Sequence, residues 1–356
     1  MEVVEKFLTY YKDTKSKIEK KIEKYNEDFT KGINPIIKDN FEYFKNLNSE
    51  GKLVRGTLVN LGYYLLKEDR DYSLDLSLAY EVFQTGILVH DDIIDNDDKR
   101  RGKETIHYRN FKNYEKYSKE EAKHFGDSMA ICMGDYGLYE ANRIIADAYQ
   151  EDKNLGKILV NFNNTVLTTI RGELIDVTLP FQGKNHLLDE KNIEEDIMEI
   201  YRLKTSHYTI IGPMSVGILL AGGNEKMLED ICMFGEKVGI AFQIQDDILG
   251  IYSDEMGKVK GSDIREFKQT ILYSHIRNTE YKEELMKYYG KEDIGEETIK
   301  MVQDLFKESG SLEYARNKMN TFYDEALNLL NTLEWITEEK KDLLRGFVEY
   351  LRKRNK

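Results

Sequence analysis

Asp91-Asp92-Ile93-Ile94-Asp95 and Gln243-Ile244-Gln245-Asp246-Asp247-Ile248-Leu249-Gly250 each set carboxylates into an otherwise apolar helical pattern. On a helix Asp91 and Asp95 stack at i and i+4, and the same stripe runs back through Ile87 and Gln84. Gln243, Asp246, Asp247 and Gly250 likewise share one stripe. Two carboxylates ~4 Å apart repel by about 4 kcal/mol at an effective dielectric of roughly 20, so each pair demands a cation. Neither cluster offers His or Cys as a ligand. A carboxylate set selects a hard ion, and Mg²⁺ takes one or two carboxylates and completes its shell with substrate phosphates. The pattern therefore implies a phosphate-bearing substrate held through Mg²⁺. A solvated helix end would explain one such cluster, but two, each closing a long apolar run, call for a shared purpose. Basic residues stand where a diphosphate needs them: Lys52 and Arg55 in the turn Gly51–Gly56, Arg100 and Arg101 after the first cluster, Lys204 before Thr205, and Lys258 and Lys268 after the second.

Long helices are needed to carry these side chains. Apolar residues recur at three- and four-residue spacing, and only three prolines occur (Pro35, Pro180, Pro213), which predicts an all-α fold. Helices are expected over 74–95, 121–149, 156–178, 191–221, 226–252 and 265–289. Residues 1–30, with Val4, Phe7, Leu8, Tyr11, Ile18 and Ile22 on one face, read as a peripheral amphipathic helix that Asn34-Pro35 ends. The polar, Gly-containing segments 181–192 and 252–263 are expected to be loops. The second carries Lys258 and Asp263 and is placed to fold over the second cluster.

At 356 residues with no linker-like stretch, the chain is expected to form a single domain over 1–356. A formal net charge of −13 argues against nucleic acid as a partner. No apolar run approaches the ~20 residues of a membrane span, and Met1 to Asp28 reads as no signal peptide. The two cysteines, Cys132 and Cys232, lie in apolar helical stretches and match no metal or redox spacing, so buried reduced thiols and a cytoplasmic location are expected. His90, His107, His124, His186, His207 and His275 show no ligand spacing, and His90 reads as a polar neighbour of Asp91. Arg352, Lys353 and Arg354 make the stretch from Tyr350 to Lys356 basic.

Taken in order, Gly51-Lys52-x-x-Arg55, Gln84, Asp91-Asp92-x-x-Asp95, Arg100-Arg101-Gly102, Gly134-Asp135, Gly172-Glu173-x-x-Asp176, Lys204-Thr205, Phe242-Gln243-x-x-Asp246-Asp247, Gly257-Lys258 and Asp263 to Lys268 resemble the trans-isoprenyl diphosphate synthases, the polyprenyl synthetases. The resemblance covers most of the chain and leans toward the geranylgeranyl type. It implies a bundle of long antiparallel helices around a central active-site cavity, homodimeric, in which an allylic diphosphate is ionised and condensed with isopentenyl diphosphate. Carried over residue by residue, Asp91, Asp95 and Asp246 would ligand Mg²⁺, three ions in all. Asp92, Asp247 and Lys268 would support that site. Arg100, Lys204 and Lys258 would contact the allylic diphosphate, with Lys204, Thr205 and Gln243 beside the cation. Lys52, Arg55, Gln84 and Arg101 would take isopentenyl diphosphate, and relatives sometimes fold a basic tail over that second pocket. Gly250 stands where many relatives have a third Asp, Glu173 where Gln is usual, and Gln84 where His is frequent.

Product length is expected to be set along the first-cluster helix, where short-chain relatives carry an aromatic four or five residues before the first Asp. Here those positions hold Ile87 and Gly86, so the next bulky residue, Phe83, lies about 4.5 Å deeper at 1.5 Å per residue. A twenty-carbon product follows, or a longer polyprenyl chain if Phe83 only packs in the core. A class I terpene cyclase would need no second diphosphate pocket, and a non-catalytic subunit would be expected to lose acidic-motif residues, all of which the first cluster keeps.

Overall fold

The computed structural model describes residues 2–185, 193–252, 261–291 and 294–354. Among the described residues the chain is all-α apart from one two-stranded hairpin. Helices α1 (Glu2–Phe29), α2 (Lys38–Ser49), α3 (Val54–Tyr64) and α4 (Leu74–Ile94) are followed by strands β1 (Lys99–Arg100) and β2 (Lys103–Glu104), paired antiparallel. Next come α5 (Ile106–Tyr114), α6 (Lys119–Ala148), α7 (Leu155–Lys184), α8 (Ile193–Ile200), a π-helical stretch (Tyr201–Ile211), α9 (Gly212–Leu220) and α10 (Glu225–Tyr252). Short helices α11 (Ser262–Arg265), α12 (Ile271–Ile276) and α13 (Lys282–Leu285) lead to α14 (Glu296–Glu308), α15 (Ser311–Thr332) and α16 (Glu338–Arg352). The chain divides into two compact units: one of residues 8–162 and 213–228, the other of 1–7, 163–212 and 229–356.

In the first unit α4 crosses α6 where neither helix carries a side chain. A Cβ on Gly86 would lie 2.8 Å from the Gly134 carbonyl oxygen, and one on Gly137 would lie 2.7 Å from Gly86 Cα. That glycine contact lets the helix bearing the first acidic cluster lie directly on its neighbour's backbone. Below it Tyr80, Phe83 and Phe162 pack edge to face, with ring centres 5.2 to 6.0 Å apart. Ser118 starts α6 by accepting from the Glu121 amide, as its Ser-x-x-Glu spacing favours. As expected, Asn34-Pro35 separates α1 from α2, the Asn34 side chain accepting from the Ile36 amide.

The second unit departs from the expected pattern in three places. The helix anticipated over 191–221 winds into a π-helix at Tyr201–Ile211, within which the Ser206 hydroxyl donates to the Tyr201 carbonyl five residues back. The long helix over 265–289 is absent. Phe267 takes a left-handed backbone, at φ 60°, so that its ring can enter a buried cluster with Tyr273 and Tyr289, and only α12 and α13 form in the remainder. Burying a Phe ring, worth roughly 1.5–3 kcal/mol, offsets the 1–2 kcal/mol or so that a left-handed residue costs. Residues 181–184, read as loop, continue α7 through Pro180, while 186–192 and 253–260, including Lys258, lie outside the described residues.

Adding a methyl at the α4–α6 crossing should push the helices apart. Gly86→Ala is expected to lower unfolding free energy by about 1–3 kcal/mol in urea denaturation, a cost of overpacking; an unchanged midpoint would mean that the crossing is not tight.

Candidate active site

The first constellation lies on α4 and the hairpin that follows it. Along α4, Gln84, Ile87, Leu88, Asp91 and Asp95 form a half-exposed stripe between buried neighbours, as the i, i+3, i+4 pattern requires. Asp95 caps the helix C-terminus, its amide bonded to the Asp91 carbonyl at 2.9 Å. A helix C-terminus already carries about half a negative charge, so carboxylates placed there increase the demand for a cation. Part of that demand is met internally. The hairpin returns Arg100 onto the cluster, where its Nε donates to Asp92 and its Nη2 reaches Asp91 at 3.3 Å and Asp97 at 3.4 Å. Asp92 is 2% exposed, and burial pushes its carboxyl up to about 7 against the pull of Arg100. The left-handed residues Asn96 and Arg101 and Gly102 make the hairpin tight enough for this return.

A cationic group surrounds the start of α3 in the same unit. Leu53, left-handed at φ 51°, opens α3 directly before Arg55, and a Cβ on Gly51 would be 3.7 Å from an Arg101 nitrogen. Buried Glu81 accepts from the Gly56 amide at 2.7 Å; burial raises its carboxyl, while Arg55, Arg101 and Lys15 draw it down. Glu81 lies one turn before Gln84 on α4. Arg55 and Arg101, far apart in sequence, thus act on one buried carboxylate.

The second constellation lies on α7, the π-helical stretch and α10. Gly172 admits the Lys204 backbone, and the Lys204 ammonium bonds both Glu173 (2.7 Å) and Asp176 (2.6 Å). Thr205 donates to Gln243 Oε1 at 2.5 Å, and Gln243 Nε2 donates to Asp247 Oδ1 at 2.9 Å. The other Asp247 oxygen accepts from Tyr201, whose own oxygen accepts from the Ile271 amide at 2.9 Å. Asp247 is 2% exposed, and burial pushes its carboxyl up to about 7, with Lys268 pulling the other way. It therefore lies inward with both oxygens on protein donors, while Asp246 faces outward and is met by Arg354. A Cβ on Gly250 would overlap the Asp263 carboxylate, so Asp263 occupies the room left at the position where many relatives have a third Asp.

Sequence patterns did not single out Tyr201, and they marked Arg354 only as part of a basic tail that relatives sometimes fold over the isopentenyl diphosphate pocket, not as a partner of Asp246. Tyr201 stands one turn before Lys204, the one signal available, and nothing local links Arg354 to Asp246. His90 bonds the Ile131 carbonyl at 3.1 Å and nears Asp135 at 3.5 Å, as a polar neighbour of α6.

The family model for polyprenyl synthetases matches residues 34–306. The chain belongs to the polyprenyl synthetase family. It is 30% identical over 271 residues, 75% of each chain, to a short chain isoprenyl diphosphate synthase of Methanocaldococcus jannaschii. It is 28% identical over 348 residues, 93% of this chain and 98% of the relative, to a geranylgeranyl diphosphate synthase of Sulfolobus acidocaldarius. A solved geranylgeranyl pyrophosphate synthase from Corynebacterium glutamicum, complexed with isoprenyl diphosphate and magnesium, superimposes with a TM-score of 0.84 at 25% identity over 97% of this chain and 98% of that one. This polyprenyl synthetase is thus a trans-prenyltransferase of a Mg²⁺-dependent family, with the expected isoprenoid synthase fold. The residues present fit that ion: Asp91 and Asp95 at the end of α4, and Asp246 on α10, are half-exposed hard oxygen donors. An ion that takes one or two carboxylates and leaves the rest of its shell to phosphate suits such a set.

The folded Asp247 carboxyl titrates near 7, above its ordinary 3.8. The folded synthetase therefore holds that proton more tightly than the unfolded chain, and this contribution to stability fades as pH rises from about 4 to 7. Thermal unfolding of wild type and Asp247→Asn across pH 4 to 9 is expected to show the wild type losing ground to the variant over that range. A constant difference would place the carboxyl in the ordinary range.

Proposed function

We propose that the protein condenses isopentenyl diphosphate with an allylic diphosphate to give geranylgeranyl diphosphate. The observation that carries this reading is the half-exposed α4 stripe, with Asp91 and Asp95 at its head, Ile87 and Leu88 beneath them and Gln84 a turn further along. Carboxylates for a metal-bound diphosphate and apolar groups for a prenyl tail succeed one another on one helix face. In this reading Asp91, Asp95 and Asp246 would hold Mg²⁺, three ions in all, and the bound metal would supply Lewis-acid charge to the diphosphate. Asp92 and Asp247, both buried, position the outward carboxylates beside them. Arg100, Lys204, Lys258 and Lys268 add positive charge around the allylic diphosphate, with Glu173 and Asp176 fixing the Lys204 ammonium. Thr205 and Gln243, joined by their hydrogen bond, present oxygen dipoles to the allylic cation. Lys52, Arg55, Gln84 and Arg101 bind isopentenyl diphosphate, and the second diphosphate site separates this reading from a terpene cyclase.

Product length is proposed to end on Phe83. With Tyr80 and Phe162 it forms a plate of interlocked rings one helical turn below Ile87, and it is 0% exposed. Gly86 serves this floor indirectly, by bringing α4 onto α6. A homodimer is supported by α7, where Leu167, Ile170, Leu174, Val177 and Phe181 stand exposed at alternating three- and four-residue spacing. The family model spans both compact units, which supports one catalytic domain over 1–356, and α1 is the amphipathic helix of that domain. Cys132 and Cys232 are free thiols, which supports a cytoplasmic enzyme, but neither is buried as expected: Cys132 is exposed and Cys232 half-buried, because apolar neighbours in sequence do not by themselves turn a helix face inward.

Purified protein given Mg²⁺, labelled isopentenyl diphosphate and dimethylallyl, geranyl or farnesyl diphosphate should yield a twenty-carbon product; no elongation from any starter overturns the proposal. In the same assay Phe83→Ala is expected to lengthen the product and Ile87→Phe to shorten it, and an unchanged length in Phe83→Ala removes Phe83 as the floor. Leu174→Lys is expected to shift the molecular mass in solution from dimer to monomer by light scattering, and a wild-type monomer would refute the dimer.

A further inference from the structure

Asp246 is the outward carboxylate of its pair, and a cation already sits on it. Arg354, in the segment after α16, donates from Nη2 to Asp246 Oδ1 at 2.7 Å, the two side chains being 14% and 23% exposed. The same turn of α10 holds Arg354 in two further ways. Its guanidinium carbon lies 4.9 Å from the Phe242 ring centre, and its backbone carbonyl accepts from Gln245 Nε2 at 2.6 Å. Gln245 is itself fixed by the buried Tyr323 hydroxyl, which donates to Oε1 at 2.9 Å. Two residues earlier Arg352 pairs with Asp324 at 2.9 Å and bonds Asn320 at 3.0 Å.

This arrangement separates the anchor from the ion pair. The carbonyl bond to Gln245 and the Arg352 contacts hold the segment whether or not the Arg354 side chain touches Asp246. A planar guanidinium can lie on Phe242 and bond the carboxylate at once, which a lysine ammonium cannot do with the same geometry. A divalent cation at Asp246 would meet that guanidinium as a like charge competing for the same oxygen.

We infer that Arg354 is a displaceable counter-ion of the second acidic cluster: it neutralises Asp246 and keeps its carboxylate in place, and it yields Oδ1 when Mg²⁺ and a diphosphate arrive together. The inference rests on the reading of Asp246 as a metal ligand. Bare Mg²⁺ has to evict a cation and offers it nothing. Mg²⁺ accompanied by diphosphate brings an anion to which the freed guanidinium can turn. Arg354 thus biases the cluster against the metal alone and toward the metal with its substrate group.

The test uses the full chain and Mn²⁺ as a paramagnetic stand-in for Mg²⁺, counting free Mn²⁺ by electron paramagnetic resonance. Arg354→Gln is expected to tighten Mn²⁺ binding by about two- to fivefold, the scale of a partly exposed ion pair. Arg354→Lys should fall between it and wild type. The gain should vanish when inorganic pyrophosphate is present, a difference that a merely structural role would not produce. Unchanged or weaker Mn²⁺ binding in Arg354→Gln, with Asp246→Asn binding more weakly than wild type, overturns the counter-ion and leaves Asp246 a ligand. Wild-type Mn²⁺ affinity in Asp246→Asn removes the ligand reading, and the inference with it.

Discussion

Carboxylates set at the ends of apolar helices must be neutralised before those helices can pack. A buried carboxylate without a partner costs several kcal/mol or takes up a proton, and at a helix C-terminus the backbone dipole adds to the cost. In each constellation one carboxylate turns inward and is satisfied by protein groups, Asp92 by Arg100 and Asp247 by Tyr201 and Gln243. Its neighbour is thereby held on the outward face. The inward member serves as a fixed support, and the outward member is the one that a mobile cation can reach.

Close backbone approach is the second constraint, because it sets where those helices lie. Gly86, Gly134 and Gly137 bring α4 onto α6, Gly172 admits Lys204, and Gly239 admits Ser206 in the π-helical stretch. At each point a methyl group would meet backbone or a packed side chain. The π-helical winding belongs to the same economy. By inserting a wider turn at Tyr201–Ile211, it lets Tyr201 reach Asp247, Lys204 reach Glu173 and Asp176, and Thr205 reach Gln243.

Some of this was legible in local pattern and some was not. Helices α4, α6 and α10 follow from apolar periodicity, which depends only on near neighbours. The expected helix over 265–289 failed because burial of Phe267 with Tyr273 and Tyr289, in a cluster that also holds Leu179, Ile244 and Phe306, outweighs local preference, and that cluster draws on residues distant in the chain. The same holds for Arg354. Its charge was plain, but its seat on Phe242, Gln245 and Asp246 arises from contacts spanning more than a hundred positions.

The sequence by itself determined the class of chemistry: two acidic stripes without His or Cys, flanked by ordered Lys and Arg, admit a hard cation and a diphosphate and little else. It also determined the all-α fold, since 3.6-residue periodicity is a local property. Tertiary structure alone decided which member of each acidic pair turns inward, that Asp263 fills the room beside Gly250, that Phe83 belongs to a three-ring plate, and that Arg354 sits on Asp246. The physical reason is that periodicity is written into adjacent residues, whereas neutralising a charge or filling a gap requires a partner that only folding brings near.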